Sequence, residues 1–358
     1  MNQMNGILTL VFSIFLSGLF TVAAFAQSPS TPQYIYVSNQ GSASISVIDA
    51  QSHEITDTIE LQELGFSENA KPHHTVAEPD GSFWYVTLIG ENTVLKFNRE
   101  NELVGQVTTE VPGLLSLDLV DDHLYVGRSM SAVNPPQSFA VVERSTMTLL
   151  DEQDLFFTRP HALATLHDGE WSYVGSLSVN QILAVNIGDD ESSLTTVDGE
   201  THTFINFAIH PDGNTMVATG QVSGKLLVFD ISDPANPTMT LTIETKAMPW
   251  HPVFSPDGRY VYFGNKQAHT VSVVDMESLS VDTVIEGNGL AQPHGAALSL
   301  DGQYLFVSNN NLDGTYQPAG ATTDNPVGTV TVINTETRTI EKVIEVGRYP
   351  SGIGTNAM

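Results

Sequence analysis

Short stretches in which apolar and polar residues alternate recur along the chain, and most of them end at a turn signal. The dipeptide Asp-Gly gives that signal at Asp80, Asp168, Asp212, Asp257 and Asp301. The steps between these turns are 88, 44, 45 and 44 residues, so the first step spans two periods. β-Branched and aromatic residues are frequent and no stretch keeps a 3.6-residue apolar period, which favours strands. A 44-residue unit of four strands is typical of a β-propeller blade.

One unit can be followed from end to end near the C-terminus. Strand a is predicted at 293–299, and strand b at 303–308 follows its Asp-Gly turn. Strands c and d are predicted at 329–333 and 339–346. In a propeller strand a is innermost, and every strand a begins at the same end of the central channel, here called the upper rim. The a–b turns lie at the opposite, lower end.

The two ends of the chain complement each other in this pattern. Residues 34–39 read directly as a strand b, with no strand a before them. Residues 349–354 match the start of strand a at 292–297, so they supply the missing strand. We therefore predict an all-β fold, a seven-bladed β-propeller with four antiparallel strands per blade, closed by the C-terminal strand that completes blade 1. Closure leaves no long open sheet edge.

Several strand-b motifs resemble those of the YVTN-repeat (YncE-like) β-propellers. They read YVSN at 36–39, YVT at 85–87 and FVSNN at 306–310, and strands reading VID and VIN follow the first and the last. The resemblance covers nearly all of the mature chain and implies one propeller domain over residues 27–358. It leaves the function open, because such propellers include binding proteins, enzymes and cofactor holders.

The N-terminal segment differs from the rest of the chain in composition. Residues 7–20 form an apolar run of 14, and Ala24-Phe25-Ala26 supplies a small-x-small cleavage site. We predict a signal peptide over residues 1–26 and a mature protein that is periplasmic or secreted. A membrane anchor is the alternative, but 14 residues are few for a membrane span. No membrane span is expected after cleavage.

Charge and cysteine content exclude several classes of function. The chain has 41 acidic and 13 basic residues, a net charge of −28, and the first 26 residues contribute none of it. An acidic surface repels phosphate backbones and anionic lipids, so nucleic acid is not expected as a partner. The absence of cysteine excludes disulfides, thiolate metal sites and cysteine nucleophiles.

Histidines concentrate at the predicted upper rim. In four blades a proline lies eight residues before the turn aspartate, and the next two positions hold five of the eleven histidines: His73, His74, His161, His251 and His294. Neutral imidazoles from different blades suit Zn²⁺ or Cu²⁺, so we predict a metal site there. Two alternatives stay open: the rings bond neighbouring carbonyls and channel water, or they serve an organic ligand and proton transfer. Because His73 and His74 are adjacent on a strand, only one is expected to face the channel axis.

Further residues near this rim are candidate contacts for a small-molecule ligand. They are Arg128, Asn206, Trp250, Asp313 and Tyr316. Asn206 and Trp250 share the two-residue window of the histidines, and the others lie in the two longest b–c loops. For Arg128 the alternative is an ion pair with one of the many acids, and for Trp250 it is packing between blades.

Motifs that would settle the chemistry are missing from the sequence. It contains no G-x-S-x-G, no H-E-x-x-H and no P-loop. We interpret the chain as an exported propeller that binds a metal ion or small ligand at a histidine-lined upper channel mouth. One alternative is a propeller enzyme that uses the same rim, such as a lactonase-like hydrolase, a lyase or a metal-dependent oxidoreductase. Another is a scaffold that binds a further exported protein without chemistry.

Overall fold

Extended segments dominate the computed structural model, which describes residues 33–129, 135–318 and 326–356. They form seven antiparallel sheets of four strands each, as predicted. The predicted signal peptide, residues 1–26, lies outside the described residues. Within the described ranges, no helix has the length and apolar character needed to cross a membrane.

The first four blades are built from consecutive strands, except for one strand of blade 1. Blade 1 contains β1 (Tyr34–Asn39), β2 (Ser44–Asp49), β3 (Glu54–Glu60) and the C-terminal β28 (Pro350–Thr355). Blade 2 contains β4 (Pro72–Ala77), β5 (Phe83–Leu88), β6 (Thr93–Asn98) and β7 (Leu103–Thr108), with a short 3₁₀ helix at Ile89–Glu91. Blade 3 contains β8 (Pro112–Asp118), β9 (His123–Arg128), β10 (Ser138–Glu143) and β11 (Thr148–Asp154). Blade 4 contains β12 (Pro160–Thr165), β13 (Ser172–Ser176), β14 (Gln181–Asn186) and β15 (Glu191–Thr196).

The last three blades follow the same order of strands. Blade 5 contains β16 (Phe204–Ile209), β17 (Thr215–Gly220), β18 (Lys225–Asp230) and β19 (Thr238–Glu244). Blade 6 contains β20 (Val253–Phe254), β21 (Tyr260–Asn265), β22 (Thr270–Asp275) and β23 (Ser280–Ile285). Blade 7 contains β24 (Pro293–Leu298), β25 (Tyr304–Asn309), β26 (Gly328–Asn334) and β27 (Thr339–Val346).

The two ends of the chain meet in blade 1. β28 pairs antiparallel with β1, with Ile35 opposite Thr355, so the predicted ring closure is confirmed. The same strand lies against β4 of blade 2, where a Cβ on Gly352 would come within 2.3 Å of the His73 carbonyl oxygen. Glycine is therefore required there for the close approach of the two blades.

Apolar side chains between neighbouring blades form the core. The rings of Tyr36, Trp84 and Phe97 stack across blades 1 and 2, with centroids 4.4 and 4.2 Å apart. Strands b and c are buried almost throughout, whereas strand d has many exposed positions, as in β3 and β7. Burial between blades therefore stabilises the ring, and the channel-facing residues of strand a are available for other tasks.

The same backbone turn leads into strand a in every blade. The residue before the strand has a positive φ in six blades, from 38° at Val111 to 61° at Thr203, and in blade 6 the residue with this conformation is Met248, just before the bridge residue Pro249. Its carbonyl oxygen accepts the N–H of the residue that follows strand b, as in the 2.8 Å bond from Lys266 to Met248. This bond joins the two upper loops of each blade and fixes the point at which strand a enters the channel.

Candidate functional site

Five imidazoles lie together in the upper part of the channel. They are the histidines of the predicted window, two from blade 2 and one each from blades 4, 6 and 7. Ring centroids are 6.2 Å apart for His73–His161 and for His73–His294, and 5.3 Å apart for His251–His294. The His251 ring also lies 5.9 Å from that of His74 and 6.5 Å from that of His161. We call these five residues the histidine cluster.

A β-bulge allows adjacent residues of strand a to share the channel. Pro72 pairs with Leu88 and Thr75 pairs with Val86, so β4 has one more residue than β5 between these two pairs. β24 has the same extra residue after Pro293. The extra residue breaks the alternation of side chains, so the rings of His73 and His74 both lie near imidazoles of other blades. The expectation that only one of them faces the axis was therefore wrong.

In blade 6 strand a is reduced to Val253–Phe254. Pro252 has no N–H to donate to the ladder, and an isolated bridge from Pro249 to Asn265 holds the segment before it. Trp250 and His251 therefore sit in irregular backbone between the bridge and the strand, and both side chains are buried in the channel region.

Hydrogen bonds fix the proton position in three rings of the cluster. Nδ1 of His161 lies 2.7 Å from the carbonyl oxygen of Ile205, which can only accept. The neutral ring therefore carries its proton on Nδ1 and a lone pair on Nε2. The backbone N–H of Leu115 donates to Nδ1 of His74 at 3.1 Å, which places the proton of that ring on Nε2.

Asn206 orients a third ring. Its Oδ1 accepts the backbone N–H of Leu163 at 3.2 Å, so its Nδ2 is the atom that faces Nδ1 of His251, also at 3.2 Å. The amide donates, and the neutral His251 ring therefore carries its proton on Nε2. The cluster thus offers both a lone pair and N–H donors.

Burial keeps the cluster uncharged at neutral pH. Four of the rings are 2–8% exposed, and only His74 is partly accessible. Desolvation lowers the pKa of His161 to about 4 and that of His74 to about 3. Burial, reinforced by neighbouring imidazoles and Lys266, holds the pKa of the other three rings well below the ordinary value. At the predicted histidine-lined upper channel mouth, these rings lie next to one another inside the channel.

Lys266 adds a positive charge beside the cluster. Its Nζ lies 4.2 Å from the centroid of the Trp250 ring and 6.0 Å from that of Tyr349. The His294 ring packs on the same indole, with centroids 4.1 Å apart. Desolvation lowers the pKa of Lys266 to about 8, so the ammonium ion is still its main form at pH 7.

The open volume of the channel lies below the cluster. A cavity of about 600 Å³ extends from His74 towards the a–b turns at the lower end. Strand-a residues of six blades and a turn residue of blade 4 line it, among them His74, Leu115, Ile209, Phe254, Leu298, Ile353 and His167. Its walls are mostly apolar and its size suits a small organic molecule. The cavity is therefore at the lower end of the channel, whereas the ligand site was predicted at the upper end.

Arg128 has a structural role in place of the predicted contact with a ligand. It is completely buried, and its five N–H groups are all used. They donate to the side chains of Thr109, Ser138 and Glu152 and to the carbonyl oxygens of Glu110 and Ser138. No N–H remains for the carboxylate or phosphate of a ligand. Arg128 instead forms an ion pair with Glu152, which was the alternative considered for it.

The other predicted ligand contacts divide into two groups. Asn206 and Trp250 belong to the channel, where they contact the rings of His251 and His294. Asp313 and Tyr316 lie at the surface of the blade 7 loop, where Asp313 pairs with His269 at 3.3 Å and Tyr316 donates to Glu345 at 2.9 Å.

A preformed metal site is not found in the cluster. No three of its ring nitrogens lie within 4.8 Å of one another, and the one group in the described part of the chain that meets this distance is Asp118, Asp121 and His123. Asp118 there accepts the backbone N–H groups of Val120 and Asp121, which is an ordinary Asx turn.

Lys266 was not among the predicted site residues, and the lower cavity was not predicted. Lys266 is the residue directly after strand b of blade 6. Its backbone N–H donates to the carbonyl oxygen of Met248, and the equivalent bond is present in every blade. Its position after strand b is therefore the signal that could have identified it. The cavity has no such signal, because small and apolar strand-a residues read as core.

The fold and the nitrogen-rich channel define a seven-bladed propeller with a buried central site. The sequence matches the family model "Lactonase, 7-bladed beta-propeller" over residues 109–350, which is more than half of the chain. The chain belongs to this family. None of the curated proteins matches the sequence.

Solved structures with the same fold come from several kinds of protein. A functionally unknown protein from Desulfotomaculum acetoxidans has a TM-score of 0.71 at 16% identity, covering 89% of this chain and 98% of its own. A proposed 6-phosphogluconolactonase from Bacteroides fragilis has a TM-score of 0.66 at 15% identity, covering 92% and 99%. The dihydro-heme d1 dehydrogenase NirN has a TM-score of 0.62 at 12% identity, covering 92% and 78%. Identities this low establish the likeness of the fold alone.

Proposed function

We propose that this protein is an exported propeller enzyme that hydrolyses a lactone in the lower channel cavity. Family membership carries the proposal, because the matched family is described as a lactonase family. The Bacteroides fragilis structure described as a 6-phosphogluconolactonase is consistent with it. The enzyme alternative is thereby favoured over the simple binding module.

The chemistry of the cavity suits a cyclic ester. Its apolar walls can hold a ring of a few carbon atoms, and about 600 Å³ leaves room for substituents. At the inner end, His74 carries its proton on Nε2 because Nδ1 is occupied by Leu115. In the proposed reaction this N–H donates to the lactone carbonyl oxygen and stabilises the negative charge that forms as water attacks. The product is the open-chain hydroxy acid, so one water is consumed per ester.

Two further parts of the proposal rest on the sequence. We propose export to the periplasm or to the outside of the cell, and the support is the predicted signal peptide at residues 1–26. The YVTN-repeat resemblance is kept as a finer assignment within the lactonase propellers, on the strand-b motifs alone.

A transition metal, Zn²⁺ or Cu²⁺, is a second candidate ligand of the histidine cluster. It is favoured by His161, whose Nε2 lone pair is free while Ile205 holds Nδ1, an arrangement common among metal-binding histidines. The rings would have to move closer together, and the nearby charge of Lys266 opposes a cation. Elemental analysis tests this candidate: stoichiometric metal in the parent and none in a His73, His161 and His294 to Ala variant would support it.

Hydrolysis is tested with the purified mature protein and a panel of five- and six-membered lactones. Acid release is followed in a pH-stat, with heat-denatured protein as the blank and with EDTA in a parallel series. We expect turnover of at least one lactone that EDTA does not abolish. No turnover above the blank across the panel would overturn the proposal, and activity that EDTA removes would favour the metal candidate.

A further inference from the structure

Lys266 is a cation without a protein counter-ion. None of the ion pairs among residues 33–129, 135–318 and 326–356 includes it, although 41 acidic residues are present in the chain. Its Nζ lies over the indole of Trp250 and near Tyr349, and its pKa is lowered to about 8 because it is desolvated. An ammonium ion held in such a place is costly unless an anion joins it.

Three polar side-chain atoms beside Lys266 also lack a hydrogen-bond partner. Trp250 Nε1, which can only donate, is buried without a hydrogen bond in the part of the chain that the structure describes. Nε2 of His251 is also buried and unpaired, and it carries the proton because Asn206 donates to Nδ1. Nδ1 of His294 is buried and unpaired as well, its ring packs on the Trp250 indole, and it adds a third donor when the neutral ring carries its proton on Nδ1.

The same region has no carboxylate in contact with it. Within the described residues, no Asp or Glu forms an ion pair or hydrogen bond with Lys266, Trp250, His251 or His294. The protein carries a net charge of −28, yet it leaves one ammonium ion and a group of N–H donors together at the upper end of its channel. Such an arrangement is complementary to an anion.

We propose that Lys266, Trp250 and the adjoining rings of His251 and His294 form a binding subsite for a small monoanion, a carboxylate group. One positive charge among neutral donors matches one negative charge. A phosphate dianion would bring a second negative charge into a buried site with nothing to balance it. Lys266 is only partly buried and follows strand b on the upper face, so the carboxylate reaches it from the end opposite the lower cavity.

This inference goes beyond the proposed hydrolysis and does not depend on it. The subsite uses Lys266, Trp250 and two rings of the histidine cluster, His251 and His294, and none of these four residues lines the cavity assigned to the lactone. A protein that bound the carboxylate without hydrolysing any lactone would satisfy the inference and contradict the proposed function. A protein that hydrolysed a lactone without binding the carboxylate would support the proposed function and contradict the inference.

Trifluoroacetate is a suitable probe, because ¹⁹F relaxation detects weak binding of this monocarboxylate. The parent protein should broaden its ¹⁹F signal, and acetate should reverse the broadening. Lys266→Met keeps the apolar stem over Trp250 and removes the charge, so its apparent Kd should rise at least about tenfold. Lys71→Met is the matched control, since Lys71 is an exposed lysine of the same rim, and binding should be unchanged.

A second variant separates the subsite from effects on folding. Trp250→Phe keeps an aromatic ring under Lys266 and removes the N–H, so the Kd should rise about fivefold. Circular dichroism confirms that each variant is folded. The inference is overturned if the parent does not broaden the probe signal, if Lys266→Met binds as the parent does, or if inorganic phosphate competes better than acetate.

Discussion

Asn206 donates through Nδ2 to Nδ1 of His251 at 3.2 Å while its Oδ1 accepts the N–H of Leu163, so a single amide links blades 4, 5 and 6. Asn206→Leu has a similar shape but leaves both partners unsatisfied. We expect it to lower the free energy of unfolding by about 2 kcal/mol. Urea denaturation measures the change. Asn236→Leu is the control, because Asn236 is exposed in the same blade, and its effect should stay within about 0.5 kcal/mol.

Acid should destabilise the protein through its buried histidines. The pKa of His161 is about 4 in the folded protein and 6.5 in the unfolded chain, so the unfolded chain takes up the proton first as the pH falls. Stability is therefore complete above pH 6.5 and is lost below it, and His161 alone should account for about 2 kcal/mol between pH 7 and pH 5.

His161→Asn tests this assignment. The Asn amide can replace Nδ1–H as donor to Ile205, but it cannot be protonated. Denaturation at the two pH values should show a correspondingly smaller loss in the variant. An equal loss in parent and variant would show that the acid sensitivity comes from other groups.

Lys266 should destabilise the protein at neutral pH and cease to do so in alkali. Its folded pKa of about 8 lies below the ordinary 10.5, so the unfolded chain binds the proton more tightly between these values and stability rises with pH across this range. In carboxylate-free buffer, Lys266→Met should be more stable than the parent at pH 7 by up to about 3 kcal/mol. The difference should disappear above pH 10.5, and Lys71→Met, which changes an exposed lysine of the same rim, is the control variant.

Arg128 should matter for stability and not for ligand binding. Arg128→Met removes five hydrogen bonds from a buried guanidinium, one of them the 3.1 Å pair with Glu152, so we expect a loss of about 3–5 kcal/mol. The surface pair of Lys342 and Glu54 is the comparison, and Lys342→Met should cost under about 1 kcal/mol. If Arg128→Met weakens trifluoroacetate binding at a temperature where it is fully folded, its assignment as purely structural is wrong.

The blades could be predicted from the sequence because their turn and strand motifs recur at a nearly constant spacing. The Asp-Gly turns and the paired strands at the two termini carry periodic signals, and the pairing of Ile35 with Thr355 follows from them. The shared position of five histidines after a strand-a proline also predicted that they would lie together. Both predictions rest on alignment of one blade with another.

The rest of the site depends on single, non-repeated features. The bulge after Pro72 shifts the pairing of β4 with β5 and turns both His73 and His74 inward. A prediction that assumes strict alternation of side chains along a strand cannot detect such a bulge. The environment of Arg128 depends on residues of strands c and d that meet it only in the folded blade. The lower cavity reflects the sum of small differences in side-chain volume along the strands a of six blades.

The central claim is that His74 presents an N–H to substrate in the lower cavity. The most direct measurement is kcat/KM of His74→Ala for the lactone that the parent hydrolyses best. We expect a loss of about 10²-fold or more, mostly in kcat, because the lost interaction forms as charge develops on the carbonyl oxygen. His269→Ala, which changes an upper-face histidine paired with Asp313, should retain the parent value. A folded His74→Ala variant with unchanged kcat/KM would contradict the account.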